Sequence, residues 1–248
     1  MRFAGSQKLA TVLPSEVSHL INSIDLKSSP TDTFPSALIK QCSGSFSVII
    51  ANLANLSFSQ GNFPTAFKTA QITPLLKKPD LDPLYLSHYH PICNLPTVSE
   101  LLEHIALTRL TPHLLSSGNL NPFQSAYRKL HSTETALLKS LSDFFGAIDA
   151  GQSVLAVSLD LSAAFDTVSH DKLLTRLEHS FGIAGTALSW TKSYIYCRSQ
   201  FVCLDGKKSV PNPLSWCTSR VCSWSCSLFS LYCTNLFSHL FFWNLFSF

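Results

Sequence analysis

A lone carboxylate at the end of an apolar run is the first feature of this sequence that could do chemistry. Residues 153–161 read SVLAVSLDL, and Asp160 is the one charged residue in that run. An ionised carboxylate at the end of a buried strand needs a partner, and a divalent cation suits its oxygen atoms. The alternative is structural, with Asp160 capping the turn into the next helix. This window alone leaves both interpretations open.

Two adjacent lysines form a second candidate site. Lys77 and Lys78 follow the apolar segment 71–76, which predicts a short strand, and they precede Pro79. A lysine ammonium is a compact point charge that suits phosphate, so the pair could bind a phosphorylated ligand. From the residues alone, a solvated basic turn is the favoured interpretation of the pair.

The cysteines and the first residues bear on compartment. Cys42, Cys93, Cys197 and Cys203 are scattered singly, which is typical of reduced thiols rather than of a disulfide framework. The four cysteines after residue 209 lack the paired spacing of a zinc site. The start, MRFAGSQKLATVLPSE, has no apolar run typical of a secretory signal. We therefore expect an intracellular protein, nuclear or cytoplasmic and not secreted.

Composition divides the chain near residue 209. The 248 residues are 46% hydrophobic and 13% charged, with a net charge of +3, which excludes a strongly basic tail as the basis of nucleic-acid binding. Arg220 is the one charged residue of segment 209–248, which is rich in Trp, Cys and Phe. A normal globular composition therefore stops near Ser209.

Apolar periodicity and capping residues predict the elements that must position these sites. The first 150 residues read as mostly helical. The first predicted helix is capped by Ser15 and has Val17, Leu20, Ile21 and Ile24 on one face, and the second covers 36–56 and is stopped by Gly61. A third helix begins with a capping box at Thr97–Glu100. The fourth covers 132–150, with Leu137, Leu141, Phe144 and Ile148 facing inward and Gly151 as its stop.

The pattern of apolar residues changes after residue 150. The run 153–161 predicts a buried strand, and Ser169 can cap a helix that carries Leu173, Leu174 and Leu177 and ends at Gly182. Asp205-Gly206 predicts a hairpin turn. The fold class is therefore α+β, with a helical front followed by the beginning of a sheet.

Four segments, taken in order, resemble the reverse transcriptase domain of non-LTR (LINE-type) retrotransposons. They are GNFPTAFKTAQITPLLKKPD at 61–80, HYHPICNLPTVSELLEHI at 88–105, NPFQSAYRKLHSTETALL at 121–138, and SLDLSAAFDTVSHDKLLTRL at 158–177. The resemblance implies a right-hand polymerase fragment with helical fingers and the first part of the palm sheet. It also implies RNA-templated addition of deoxynucleoside triphosphates to a DNA primer.

The resemblance gives roles to individual residues. Asp160 matches the first metal-binding aspartate of the palm, and the backbone carbonyl of Leu161 is expected to help it hold Mg²⁺. Phe165 matches the bulky side chain that stacks under the deoxyribose and excludes a 2′-hydroxyl. Lys77 and Lys78 match the fingers lysines that meet the triphosphate.

Other matched positions lie in the fingers. Gln124 and Arg128 resemble template- or nucleotide-facing residues, whereas His131 and Glu134 are expected to cap and brace a helix. His90 stands where the family has an Arg that grips the triphosphate. A neutral imidazole cannot replace a permanently charged planar fork, so this position is degenerate.

Segment 209–248 departs from the family most. No Asp or Glu follows Asp205, so the paired aspartates of a later palm motif are missing, and one carboxylate cannot hold two Mg²⁺ ions. The family expects GVPQGSVLGP here, and the chain reads WCTSRVCSWSC at 216–226. Trp216 and Trp224 are each encoded by TGG. Read one nucleotide later, each TGG contributes the first two bases of a Gly codon, so two glycines would lie eight positions apart, as in the family motif. This pattern predicts a frameshifted, truncated and inactive copy.

These observations divide the chain into four regions. Residues 1–60 are a helical N-terminal extension, 61–150 the fingers and 151–208 a partial palm. Residues 209–248 are an apolar tail that we expect to be out of frame, without family resemblance and disordered or ill-packed. Two alternatives remain: a small protein with a C-terminal membrane anchor, since 14 of residues 227–248 are apolar, and a non-catalytic nucleic-acid-binding remnant. A membrane is not expected as a partner.

Overall fold

Seven helices and five strands make up the part of the chain that the structure describes. This computed structural model describes residues 8–23, 29–121, 123–126, 128, 130–157 and 169–214. The elements are α1 (Pro14–Ser23), α2 (Ser36–Gln41), α3 (Ser43–Gln60), β1 (Thr69–Leu76), β2 (Tyr89–Asn94), α4 (Thr97–Ser116), α5 (Thr133–Asp149), α6 (His170–His179), α7 (Gly185–Ile195), β3 (Arg198–Leu204), β4 (Lys207–Lys208) and β5 (Asn212–Leu214). The fold is therefore α+β, as predicted.

The sheet is mixed and has β1 in its interior. Strand β1 pairs antiparallel with β2 on one side and parallel with β3 on the other. Strands β4 and β5 both pair antiparallel with β3. The parallel β1–β3 pair needs a long crossover, which α4 to α7 provide.

The main core lies among the helices. Helix α3 packs against α1 and α7, and Val17, Ile21 and Ala54 are fully buried there. An aromatic group joins α3 to α7, because the indole of Trp190 meets the rings of Phe58 and Phe63 edge-on. A second, smaller cluster lies on the sheet; it consists of Ala70, Ile72, Cys93 and Leu95.

Several local predictions are confirmed. Gly61 ends α3 in the left-handed region, at φ 63°, where a Cβ would lie 3.0 Å from Ser189 Cβ. The Ser169 hydroxyl caps α6 by accepting from Lys172 N–H. Asp205 and Gly206 both have positive φ in the β3–β4 turn, as a two-residue hairpin requires. No disulfide joins any two of Cys42, Cys93, Cys197 and Cys203.

Two helix predictions near the start of the chain need correction. The helix predicted over 36–56 is two helices, α2 and α3, because the backbone breaks at Cys42. The capping box predicted at Thr97 does not form, since α4 has no side-chain cap from its own flanking residue. The N-terminal backbone of α4 is instead satisfied by Asp32, whose carboxylate accepts from Thr97 N–H at 2.6 Å.

The predicted inward face of α5 is also wrong. The helix forms as predicted and Ser132 caps it, but Leu137, Leu141 and Ile148 are exposed and Phe144 is half-buried. Periodicity shows that one face of a helix is apolar, whereas burial needs a second element to cover it. Residues 153–157 are not part of a strand, and 158–161 lie outside the described residues.

Candidate nucleotide-binding site

The β1–β2 hairpin positions the two lysines and the histidine singled out in the sequence. The register places Leu75 opposite His90, and the Lys77 N–H continues the ladder by donating to the His88 carbonyl at 2.9 Å. Directly opposed residues share a face of a sheet, and so do residues two apart along a strand. Lys77 and His90 therefore lie on the same face at the distal end of the hairpin.

The two lysines are not equivalent. The Lys77 ammonium donates to the Ser87 carbonyl at 2.8 Å, which braces the loop between the strands. An ammonium has three donors, so this bond leaves further N–H groups for an anion. Lys78 is exposed at the start of the loop, and its backbone carbonyl accepts from Leu81 N–H.

The same face carries a polar row that the motifs did not identify. Gln71 is buried opposite Asn94, and the Asn94 amide donates to Thr73 Oγ1 at 3.2 Å. The Thr69 and Ser199 hydroxyls meet at 3.0 Å where β1 adjoins β3. The signal for this row was present in the sequence, because Thr69, Gln71 and Thr73 alternate with apolar residues.

Two buried cations at the base of the hairpin were also missed. Lys68 and Arg198 are only 7% and 4% exposed. Lys68 Nζ donates to the Tyr196 carbonyl at 3.3 Å, and burial lowers the pKa of Lys68. The Arg198 guanidinium lies 4.8 Å from the Tyr194 ring centroid and donates to the Tyr194 carbonyl. These cations tie α7 to β1 and β3.

Gln124 and Arg128 lie in the loop before α5 and not on the hairpin. Arg128 Nη1 donates to the Gln124 carbonyl at 3.3 Å, and Gln124 Nε2 donates to the Ala126 carbonyl at 3.1 Å. Both side chains are half-buried. The Gln124 Oε1 atom is shielded from solvent and, within the described part of the chain, accepts no hydrogen bond.

A cavity of about 770 Å³ lies beside this loop, against α5. Phe123, Phe144 and Val154 give it apolar walls, and the ion pair of Lys139 with Asp143 lies at its lining. The exposed side chains of Leu137, Leu141 and Ile148 on α5 are not among the residues that line this cavity.

The predicted metal site cannot be placed. Asp160, Leu161 and Phe165 lie outside the described residues. Among the residues that are described, no three His, Cys, Asp or Glu side chains come together to hold a metal ion. The structure thus positions Lys77, Lys78 and His90 but leaves the palm acid and the deoxyribose-facing residue as predictions.

Curated proteins similar to this chain come from mobile elements. The RNA-directed DNA polymerase from mobile element jockey of Drosophila melanogaster is 26% identical over 238 residues, which are 96% of this chain and 26% of that protein. The Probable RNA-directed DNA polymerase from transposon BS of the same species is 28% identical over 199 residues, 79% of this chain and 21% of that protein. The chain thus spans about a quarter of the length of these relatives.

The family comparison covers most of the chain. Residues 76–241 match the family described as Reverse transcriptase (RNA-dependent DNA polymerase). The matched interval contains Lys77, His90 and Asp160, and it runs past residue 208, beyond which the motifs predicted no family resemblance. Together with the mobile-element relatives, this match shows that the chain belongs to the reverse transcriptase family, in the non-LTR retrotransposon group.

Proposed function

We propose that this chain carries the fingers and the first part of the palm of a right-hand polymerase that copies RNA into DNA. One observation supports the proposal most strongly: the β1–β2 hairpin brings Lys77 and His90 to the same face, next to Lys78. These are the positions that resemble the triphosphate contacts of the family. The proposed regions are 1–60 for the N-terminal extension, 61–150 for the fingers and 151–208 for the partial palm.

Lys77 and Lys78 would meet the phosphates of an incoming deoxynucleoside triphosphate. Their ammonium groups supply charge without fixed geometry, which suits phosphate oxygens. Lys77 is already oriented by its bond to the Ser87 carbonyl, so binding costs it less side-chain entropy. We assign Gln124 and Arg128 to the template or nucleotide side and Phe165 to the deoxyribose.

His90 limits this site. It is exposed on the lysine face, where an Arg would present a bidentate fork to the triphosphate. An imidazole makes at most two separate hydrogen bonds and lacks the permanent charge and planar fork of a guanidinium. We therefore propose that the chain binds triphosphates weakly and that His90→Arg strengthens binding.

Mg²⁺ is the cofactor that the family implies, with Asp160 and the Leu161 carbonyl as proposed ligands. Two ions about 4 Å apart require several oxygen ligands, and no cluster of three ligating side chains occurs in the described residues. Asp160 and Leu161 lie outside the described residues, and the 248 residues contain no Asp or Glu after Asp205 that could supply the paired aspartates of the later palm motif. We propose that the 248-residue polypeptide alone does not extend a primer.

The proposed partners are an RNA template, a DNA primer and deoxynucleoside triphosphates, in the nucleus or cytoplasm. The first test is binding of an RNA–DNA duplex at low salt, measured by fluorescence anisotropy. Lys77→Gln and Lys78→Gln should each weaken the binding of a fluorescently labelled deoxynucleoside triphosphate, measured in the same way. Lys192→Gln, an exposed position on α7, is the matched control. No duplex binding at low salt, or lysine variants that behave like the control, would contradict the proposal.

The same experiment tests the second candidate function, a non-catalytic nucleic-acid-binding remnant. Duplex binding with no triphosphate binding, in both the native chain and His90→Arg, would favour a nucleic-acid-binding remnant over a nucleotide site. As to the membrane-anchor alternative, none of the helices in the described ranges is long and apolar enough to span a bilayer. The segment 227–248, on which that alternative rests, lies outside those ranges.

A further inference from the structure

The loop that joins β1 to β2 exposes three consecutive apolar side chains. Leu84 is 88% exposed, Tyr85 59% and Leu86 90%. Single exposed apolar residues are ordinary on a protein surface, but three in succession at the tip of a hairpin form a contact surface. We call Leu84, Tyr85 and Leu86 the apolar tip.

The backbone beneath the apolar tip is held in place by hydrogen bonds that Asp82 accepts. Its carboxylate accepts from Leu84 N–H at 2.9 Å, and its carbonyl accepts from Tyr85 N–H at 3.4 Å. The Tyr89 hydroxyl donates to the Pro83 carbonyl at 3.1 Å, and Tyr85 begins the short 3-10 turn Leu86–His88. The tip is therefore a formed structure whose apolar side chains point outward.

An aromatic pair lies within this loop. The rings of Tyr85 and His88 are 5.3 Å apart and inclined at 53°. His88 Nδ1 lies 2.8 Å from the Asp82 carbonyl, which can only accept, so Nδ1 is the protonated nitrogen. The histidine ring is thus fixed beside the tyrosine, while more than half of the tyrosine remains exposed.

We propose that the apolar tip is a stacking platform for the bases of single-stranded nucleic acid, with Tyr85 as the stacking residue. This inference rests on the proposed function and names the strand that the hairpin meets. Aromatic rings beside cations bind single strands without strong sequence preference, because every base has a π-face. Lys77 and Lys78, at the first turn of the same loop, supply the cations for the backbone phosphates.

The balance of charge predicts how such binding responds to salt. The loop carries Asp80 and Asp82 as well as the two lysines, so it has no large excess of positive charge. Stacking rather than phosphate contact should therefore supply most of the affinity at the tip. A protein partner would also suit leucines, but the aromatic pair and the adjacent lysines favour a nucleic acid.

The test uses the full chain and a labelled single-stranded RNA of about ten nucleotides, within the site sizes of such proteins. Tyr85→Ala should weaken RNA binding by about 5- to 150-fold, the loss of one stacked base, without changing the salt slope. Tyr85→Phe should restore binding. Lys78→Gln should instead reduce the salt slope by about 0.7. Leu56→Ala, an exposed apolar position on α3, is the matched control.

The same titrations with an RNA–DNA duplex separate this inference from the function on which it rests. Duplex binding together with equal single-strand affinities for Tyr85→Ala and the native chain would overturn the platform and leave the proposed function standing. If neither nucleic acid binds at low salt, both proposals fail. A Tyr85→Ala variant that changes self-association in sedimentation but not RNA affinity would show a protein contact and overturn the platform.

Discussion

Asp32 and Thr97 are joined by two hydrogen bonds although 65 residues separate them in the chain. The Thr97 N–H donates to Asp32 Oδ1 and the Thr97 hydroxyl donates to Asp32 Oδ2, each at 2.6 Å. Asp32 also accepts from Ser29 N–H, so its own loop is ordered at the same time. Because only Leu95 and Pro96 separate the end of β2 from Thr97, the first residue of α4, this contact fixes where the chain leaves the candidate hairpin.

Replacing Asp32 by Ala should therefore destabilise the protein. Thr97 is fully buried, so its N–H and hydroxyl would lose their acceptors without gaining water. Loss of a helix cap of this kind costs about 0.5–2 kcal/mol in free energy of unfolding, measured by urea denaturation. Asp80→Ala, at an exposed carboxylate in the β1–β2 loop, is the control. Equal stability of the two variants would show that the contact contributes nothing.

The buried polar contact between α3 and α7 offers a second stability test. The Trp190 indole N–H donates to Ser57 Oγ at 2.8 Å, and that hydroxyl donates to the Asn62 carbonyl. Ser57→Ala removes the acceptor and should cost about 1–3 kcal/mol in free energy of unfolding. Ser59→Ala, two residues on, loses only an exposed bond to the Leu56 carbonyl and should cost much less. Similar losses for both serines would contradict this account.

The structure also predicts how stability depends on pH. Burial lowers the pKa of His104 and of His170, in the second case against the charge of Asp171. Both histidines stay neutral in the folded state at a pH where they are protonated in the unfolded chain, so unfolding takes up protons. Their stabilisation is complete above about pH 6.5, the ordinary value, and is lost as the pH falls toward the folded-state values.

Unfolding free energies measured between pH 5 and pH 7.5 should therefore rise with pH. His104→Gln removes one of the two contributions and should make the rise shallower, by at most one proton in the linkage slope. Replacing both histidines should flatten it further. A rise as steep in the double variant as in the native chain would show that other groups cause it.

Local sequence rules predicted helix ends and tight turns well. The positive φ of Gly61 and the Ser169 cap depend on neighbours a few residues away, so their residue types indicate the structure. The cap of α4 was missed because Asp32 is remote in sequence and reaches Thr97 only in the folded chain. No spacing rule within one segment can identify such a partner.

The candidate site was likewise predicted only in part from the sequence. The lysines and His90 were found by motif resemblance, and their common face follows from the β1–β2 register. The apolar tip and the buried Lys68 match no motif, since each is defined by exposure or burial that only tertiary packing sets. The apolar face of α5 shows the converse error, because an apolar pattern was taken to mean burial.

That exposed face gives a further prediction about stability. Leu138 is 65% exposed on α5, whereas Leu102 is fully buried on α4. Leu138→Gln should change the free energy of unfolding by less than about 0.5 kcal/mol, as surface substitutions do. Leu102→Ala should cost about 2–5 kcal/mol because it leaves a cavity. A large loss for Leu138→Gln would contradict the exposure of this face of α5.

The coding DNA provides the last prediction, which concerns segment 209–248. We expect a small insertion or deletion between the codons for Lys208 and Trp216, so that the codons for 216–226, read one nucleotide later, spell Gly-Val-Pro-Gln-Gly-Ser-Val-Leu-Gly-Pro. Two of those glycines follow from the TGG codons of Trp216 and Trp224, but the other residues depend on codons that the protein does not reveal.

Sequencing the DNA decides between two histories. A shifted frame that continues into a paired-aspartate motif would show that segment 209–248 is an out-of-frame translation and not a membrane segment. The family match that runs to residue 241 presents the competing case, in which the tail is a diverged segment in the original frame. Codons at 216–226 that cannot give the glycine-rich motif would establish that case. In that case no shifted frame would supply the paired aspartates, and segment 209–248 itself contains no carboxylate to hold a second metal ion.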